Sequence, residues 1–128
     1  MIVAGVGCRR GAAARDIEAA VRAALARASV APDSLGCIAT TAAKEDEAGI
    51  RAAAAKLGVS VVLLSRAEME AAAPRAATRS ERVLAHTGVP SVAETAALAA
   101  AGPAARLISP RLVLGAATCA LAASDGRP

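Results

Sequence analysis

The sequence predicts an α/β protein: a three-layer α/β/α sandwich around a mixed, mainly parallel sheet, in one domain over residues 1–128. Short apolar runs alternate with helix-period stripes from Met1 to Ala101, the pattern of βαβ units. The last apolar segment, Leu107 to Ala122, contains no helical stripe, so the strands within it must be antiparallel. A chain of 128 residues is long enough for one domain with one core.

The elements follow in order. Met1 to Val6 is an apolar run that leads into glycines and predicts a buried strand. Ala13 to Ala28 carries Ile17, Val21 and Leu25 at i, i+4 and i+8, a single helical stripe, with Arg15, Asp16, Glu18 and Arg22 off it. Pro32 and Asp33 interrupt the pattern before a second strand, Leu35 to Ala39. Thr41 then reads as the N-cap of a helix that runs to Leu57, with Ile50 and Leu57 inward and Gly58 as its stop. Val59 to Leu64 is a strand. Arg66 to Ala73 is a short helix before Pro74, and Arg75 to Arg82 is a basic, mobile loop. Ser91 caps a helix through Ala101, ended by Gly102-Pro103. Breaks at Ser109-Pro110 and Gly115 divide the last segment into two or three short strands.

Composition narrows the function classes. Hydrophobic residues make up 55% of the chain, yet Phe, Tyr and Trp are absent and much of the apolar fraction is alanine. Such a core needs alanines that let helices approach closely, or a homodimer that adds burial. The net charge of +4 allows nucleic acid, but without aromatics there is nothing to stack bases on. It suits a small molecule bearing carboxylates or phosphates as well. No apolar run reaches the roughly 20 residues that span a bilayer, and no basic residue precedes the first apolar segment as in a signal peptide. Cys8, Cys37 and Cys119 are odd in number, widely spaced and without a CxxC pair. Reduced thiols in a cytoplasm are therefore expected, with no metal site and no cofactor.

The stretch VAGVGCRRG, residues 3–11, holds the first candidate site. Gly5 and Gly7 fit a dinucleotide fingerprint, but Arg10 stands where its third glycine belongs and Gly11 comes one position late. The second strand ends at Thr40 with no ribose-binding acid. A nucleotide-binding regulatory domain is thus the weakest function class. A strand–helix loop at the C-terminal edge of a sheet still faces the ligand crevice. There backbone N–H groups favour anions, and Arg9 and Arg10 can fork onto carboxylates. Cys8, near two arginines and a helix start, is expected to have a lowered thiol pKa.

Lys44 falls in the first turn of the helix that Thr41 caps, against the helix dipole, and a residue that breaks a local rule is a functional candidate. It would share the crevice with Thr40 and Thr41, and Glu47 would pair with it or act as a base. Glu45 and Asp46 read as a solvated acidic turn. In GVPSVAETAAL, residues 88–98, Ser91 and Glu94 form an S-x-x-E capping box beside Val92. Arg79, Ser80 and Glu81 could close over the crevice as a flap, and Thr118 and Cys119 read as core.

Five stretches in this order, VAGVGCRRG, IATTAAKEDEAGI, LGVSVVLLS, GVPSVAETAAL and AATCALA, resemble the cobalamin biosynthesis family of CobE and the C-terminal domain of CbiG over nearly the whole chain. The resemblance implies a three-layer α/β fold with a mixed sheet and a part in building the corrin ring. It implies as ligand a precorrin or other corrinoid intermediate, bound for processing or transfer, and as possible partners other corrin-pathway enzymes. The residues at its motifs are Gly5, Gly7, Cys8, Arg9, Arg10, Gly11, Thr40, Thr41, Lys44, Ser91, Val92 and Glu94. The alternative is a hydrolase that opens a precorrin lactone, with Glu47 as base and Lys44 beside it; the family's CbiG members perform such a step.

Overall fold

The computed structural model describes residues 1–77 and 91–124. Its strands are β1 (Ile2–Cys8), β2 (Leu35–Thr41), β3 (Ser60–Leu64), β4 (Arg106–Leu114) and β5 (Ala117–Ala123). Its α-helices are α1 (Ala14–Arg27), α2 (Ala48–Leu57), α3 (Arg66–Ala72) and α4 (Val92–Ala101). The sheet order is β3-β2-β1-β5-β4. β1, β2 and β3 pair in parallel, while β5 is antiparallel to both β1 and β4. Four strands therefore run the same way and β5 alone is reversed, as the helix-free end of the chain predicts.

The strand period of two sorts side chains onto two cores. Ala4 and Val6 of β1, Ile38 of β2 and Leu121 of β5 pack under Ile17, Val21 and Leu25 of α1 and Ile50 of α2. Val3, Cys37, Ala39 and Ala122 face Ala96, Ala97 and Leu98 of α4, with Met69 of α3. Helices thus cover both faces of the sheet, which is the three-layer arrangement. The first strand is longer than the apolar run suggests: Gly7 and Cys8 pair with Thr118 and Ala117 of β5. Thr41 likewise ends β2, opposite Leu64 of β3. The flap candidates Arg79, Ser80 and Glu81 lie outside the described residues.

β4 carries a break that both helical layers repair. Its register against β5 shifts between Ser109 and Leu112, at Pro110, which has no N–H to give. On one face the Arg27 guanidinium donates to Ser109 Oγ at 2.7 Å and to the Pro110 carbonyl. On the other, Glu94 of α4, wholly buried, accepts the Arg111 N–H at 2.9 Å. Glu94→Ala should then cost roughly 1–3 kcal/mol by removing that acceptor, and Glu94→Gln, which keeps an oxygen there, clearly less. Equal losses in a urea titration of the two variants would show that the acceptor oxygen is not what matters.

Candidate functional site

The C-terminal ends of β1, β2 and β3 and the β4–β5 turn lie at one end of the sheet, where an α/β fold binds ligands. The β1–α1 loop there is short. Arg9, Arg10 and Gly11 cross the sheet edge, and Gly11 takes a φ of +76°, a conformation that favours glycine. Three hydrogen bonds fix the loop from both sides. The Arg9 N–H donates to the Ala116 carbonyl in the β4–β5 turn at 2.9 Å. The Gly11 N–H donates to Glu47 Oε1 at 2.9 Å, and Lys44 Nζ donates to the Cys8 carbonyl at 2.7 Å. With the backbone held this way, the Arg9 and Arg10 side chains extend into solvent, with no hydrogen-bond or ion-pair partner among the described residues. Arg10 borders a groove of about 710 Å³ that runs between the N-termini of α1 and α2, along Ala13, Asp46 and Gly49.

Lys44 and Glu47 differ from their expected roles. Thr41 caps a short 3-10 turn over Ala42–Lys44, accepting the Ala43 N–H at 3.5 Å, and α2 begins only after Glu47. Lys44 therefore ends a turn, where a cation is favoured, and breaks no dipole rule. Its ammonium and the Glu47 carboxylate are both engaged by the backbone of the β1–α1 segment. Their visible work is to hold the arginine loop against the β2–α2 connection. Glu45 and Asp46 are exposed, as a solvated acidic turn should be.

Cys8 is half-buried at the end of β1, and burial raises its thiol pKa. The Lys44 ammonium opposes that shift and the Glu47 carboxylate adds to it. The expectation of a lowered pKa is corrected: the arginines point to solvent, and desolvation of the thiolate dominates. Cys37 and Cys119 are buried and also raised, Cys119 to about 12. Alkylation of Cys8 by iodoacetamide should follow a titration whose midpoint lies above that of a free cysteine, about 8.5. A midpoint at or below that value would sink this account.

The other half of the site lies on the α4 face of the sheet. Gly7, Thr118 and Val113 form one cross-strand row over β1, β5 and β4. Thr118 Oγ1 donates to the Gly7 carbonyl at 3.2 Å, and a Cβ on Gly7 would lie 3.7 Å from Val92. Val92, half-buried at the start of α4, thus borders this row, and Val113 is 59% exposed at its outer end. Leu114, also exposed, follows it into the turn that holds Arg9. Neither Val113 nor Thr118 was singled out from the sequence as part of a site. Only the pairing register brings them beside Gly7.

Four expected site residues turn out to serve the frame. Gly5 lies inside β1, paired on both sides and covered by α4, away from the crevice. Thr40 is fully buried and donates to the Val6 carbonyl at 2.8 Å. Ser91 Oγ accepts the Glu94 N–H at 3.4 Å and caps α4, as expected, but it too is buried. Glu94 has its Oε2 turned to the β4 break instead of standing open to a ligand.

Among the described residues, no helix is long and apolar enough to cross a membrane. The family model described as "Cobalamin synthesis G C-terminus" matches residues 2–122. The chain is 43% identical over 121 residues to protein CobE of Sinorhizobium sp, covering 94% of this chain and 79% of that one. The crystal structure of a CobE from the cobalamin (vitamin B12) biosynthetic pathway superposes with a TM-score of 0.89 at 35% identity, over 95% of this chain and 89% of that chain. The cobalamin biosynthesis protein ChiG of Agrobacterium tumefaciens str. C58 gives a TM-score of 0.78 at 47% identity, over 97% and 98% of the two chains. The chain therefore belongs to the cobalamin biosynthesis family of CobE and the CbiG C-terminal domain.

Proposed function

We propose that this protein binds a precorrin, or another corrinoid intermediate of the pathway, across the C-terminal edge of its sheet, and holds it for processing or transfer. One observation carries this reading. Two exposed arginines, unpartnered among the described residues, stand on a hydrogen-bonded loop at the same end of the sheet as the cross-strand row of Gly7, Thr118 and Val113, which Val92 borders. A precorrin is a flat ring rimmed by acetates and propionates. Its carboxylates match guanidinium forks, and its face matches an aliphatic shelf that contains no aromatic side chain. The loop is held by side chains of its own chain, so little of it needs ordering when the ligand arrives. Binding is favoured over lactone hydrolysis because Glu47 and Lys44, the residues a hydrolase would use, are engaged in fixing that loop.

The test is to mix the protein with purified precorrin intermediates and follow absorbance and mass. A spectral shift without a new mass is the expected result. A new product mass would replace the binding role with an enzymatic one. No change in either measurement would remove the reading altogether.

A further inference from the structure

Among the described residues, Glu94 is the one charged side chain that is wholly buried, and its carboxylate is used on a break in an edge strand. From Ser109 to Leu112 β4 takes three steps, while β5 takes two from Leu121 to Cys119. β4 thus carries an extra residue there, a bulge at Pro110 and Arg111. Another extra residue lies between Leu107, opposite Ala122, and Ser109, opposite Leu121. One extra residue turns every following side chain to the other face of the sheet, and a second turns it back. Leu107 accordingly packs in the core under α4, and Ser109 meets Arg27 of α1. Val113, opposite Thr118, is on the α4 face again.

The product of the second bulge is an exposed valine. Val113 is 59% exposed, in line with Thr118 and Gly7, and that placement adds little to folding because it removes little apolar area from water. A carboxylate is costly to bury, and it is a stronger acceptor than a neutral group. So firm a hold is excessive for an edge strand that leaves a valine in water, and it fits a strand whose placement matters to a ligand. Glu94 lies in the first turn of α4, two residues after Val92. Through the Arg111 N–H it ties that turn to β4, two residues before Val113. One hydrogen bond therefore joins the two ends of the aliphatic row. We propose that Glu94 is a positioning residue: acting through the bulge, it holds Val113 in line with Val92 so that the row can meet the face of the ring. This rests on the precorrin-binding role.

Absorbance titration with purified precorrin intermediates tests this, at a temperature where circular dichroism shows each variant folded. Val113→Ser should weaken binding about tenfold, the worth of one aliphatic contact. Glu94→Ala should weaken it by a similar factor with the salt dependence of the wild type, since both arginines remain, and Glu94→Gln should restore it. In the Val113→Ser background Glu94→Ala should add little, because the side chain it positions is gone. Leu25→Ala, a core truncation in α1, should lower stability and leave affinity unchanged. If Glu94→Ala does not fold, Glu94→Leu, which fills similar space without an acceptor, takes its place. Losses that multiply in the double variant would overturn the positioning role and leave the arginine loop as the binding site. So would wild-type affinity in Glu94→Ala or in Val113→Ser. An equal loss in Leu25→Ala would also overturn it, since instability alone would then explain the effect. A wild-type protein that gives no spectral shift fails the binding role itself, and the positioning role with it.

Discussion

Gly5→Ala is expected to lower the stability of the protein by roughly 3–5 kcal/mol, and its melting temperature by roughly 10–20 °C. A Cβ at this position would lie 1.9 Å from the Ala93 carbonyl oxygen and 2.7 Å from the Ala97 nitrogen. Both are backbone atoms of α4, so no rotamer change relieves the clash and the helix must lift off the sheet. β1 cannot yield instead, since Gly5 pairs with Ala39 on one side and Ala120 on the other. Lifting α4 would loosen the contacts of Ala96, Ala97 and Leu98 with Val3 and Ala122, and would disturb the hold of Glu94 on β4. Gly36→Ala is the control. Its new Cβ meets chiefly the Met1 side chain, which can swing away, and lies 3.2 Å from the Ile2 carbonyl oxygen, a much milder approach than at Gly5. Thermal melts of both variants check the prediction, and a Gly5→Ala melt as high as that of Gly36→Ala would show that the close approach is not needed.

That contact also explains a composition without aromatic residues. Alanines at 93, 96, 97 and 101 of α4, and at 39, 120 and 122 of the strands, are all buried. Small residues on both sides let helix backbone approach strand backbone, so the core is filled by proximity instead of by large rings. The alternation of strands and helices was legible because its periods are local: Ile17, Val21 and Leu25 do line α1, and Val61 and Leu64 do lie in β3. What was not legible depends on pairing across the chain. Arg75, expected in a mobile loop, donates to the carbonyls of Leu98, Gly102, Pro103 and Ala105 and closes the end of α4. Glu94 fits a capping box by spacing, and nothing local to it reveals a strand break seventeen residues later. A helix starting at Thr41 would put Lys44 in its first turn, but the intervening 3-10 turn puts it in a last turn and reverses the sense of the dipole argument.

The site reading stands or falls on the two arginines. Arg9→Ala combined with Arg10→Ala should weaken precorrin binding by roughly 100-fold, about tenfold for each charge-assisted contact after screening by solvent. The fold should be untouched, because neither side chain has a partner among the described residues and the loop is held through the Arg9 and Gly11 N–H groups and the Cys8 carbonyl. Arg22→Ala is the matched control. It removes one positive charge, against two in the double variant, from the middle of α1, where Arg22 pairs with Glu18 at 2.9 Å, and should change affinity little, far less than half the effect of the double variant. Rising salt should weaken wild-type binding and leave the double variant nearly insensitive, since exposed charge contacts are screened over about a Debye length. Glu47→Gln separates the loop's order from its charge. It keeps an oxygen that can accept the Gly11 N–H, so binding should persist, whereas Glu47→Ala removes the acceptor and should reduce affinity with both arginines still in place. Equal losses for the Arg22 and Arg9/Arg10 variants would mean that overall charge, and not this loop, attracts the ligand.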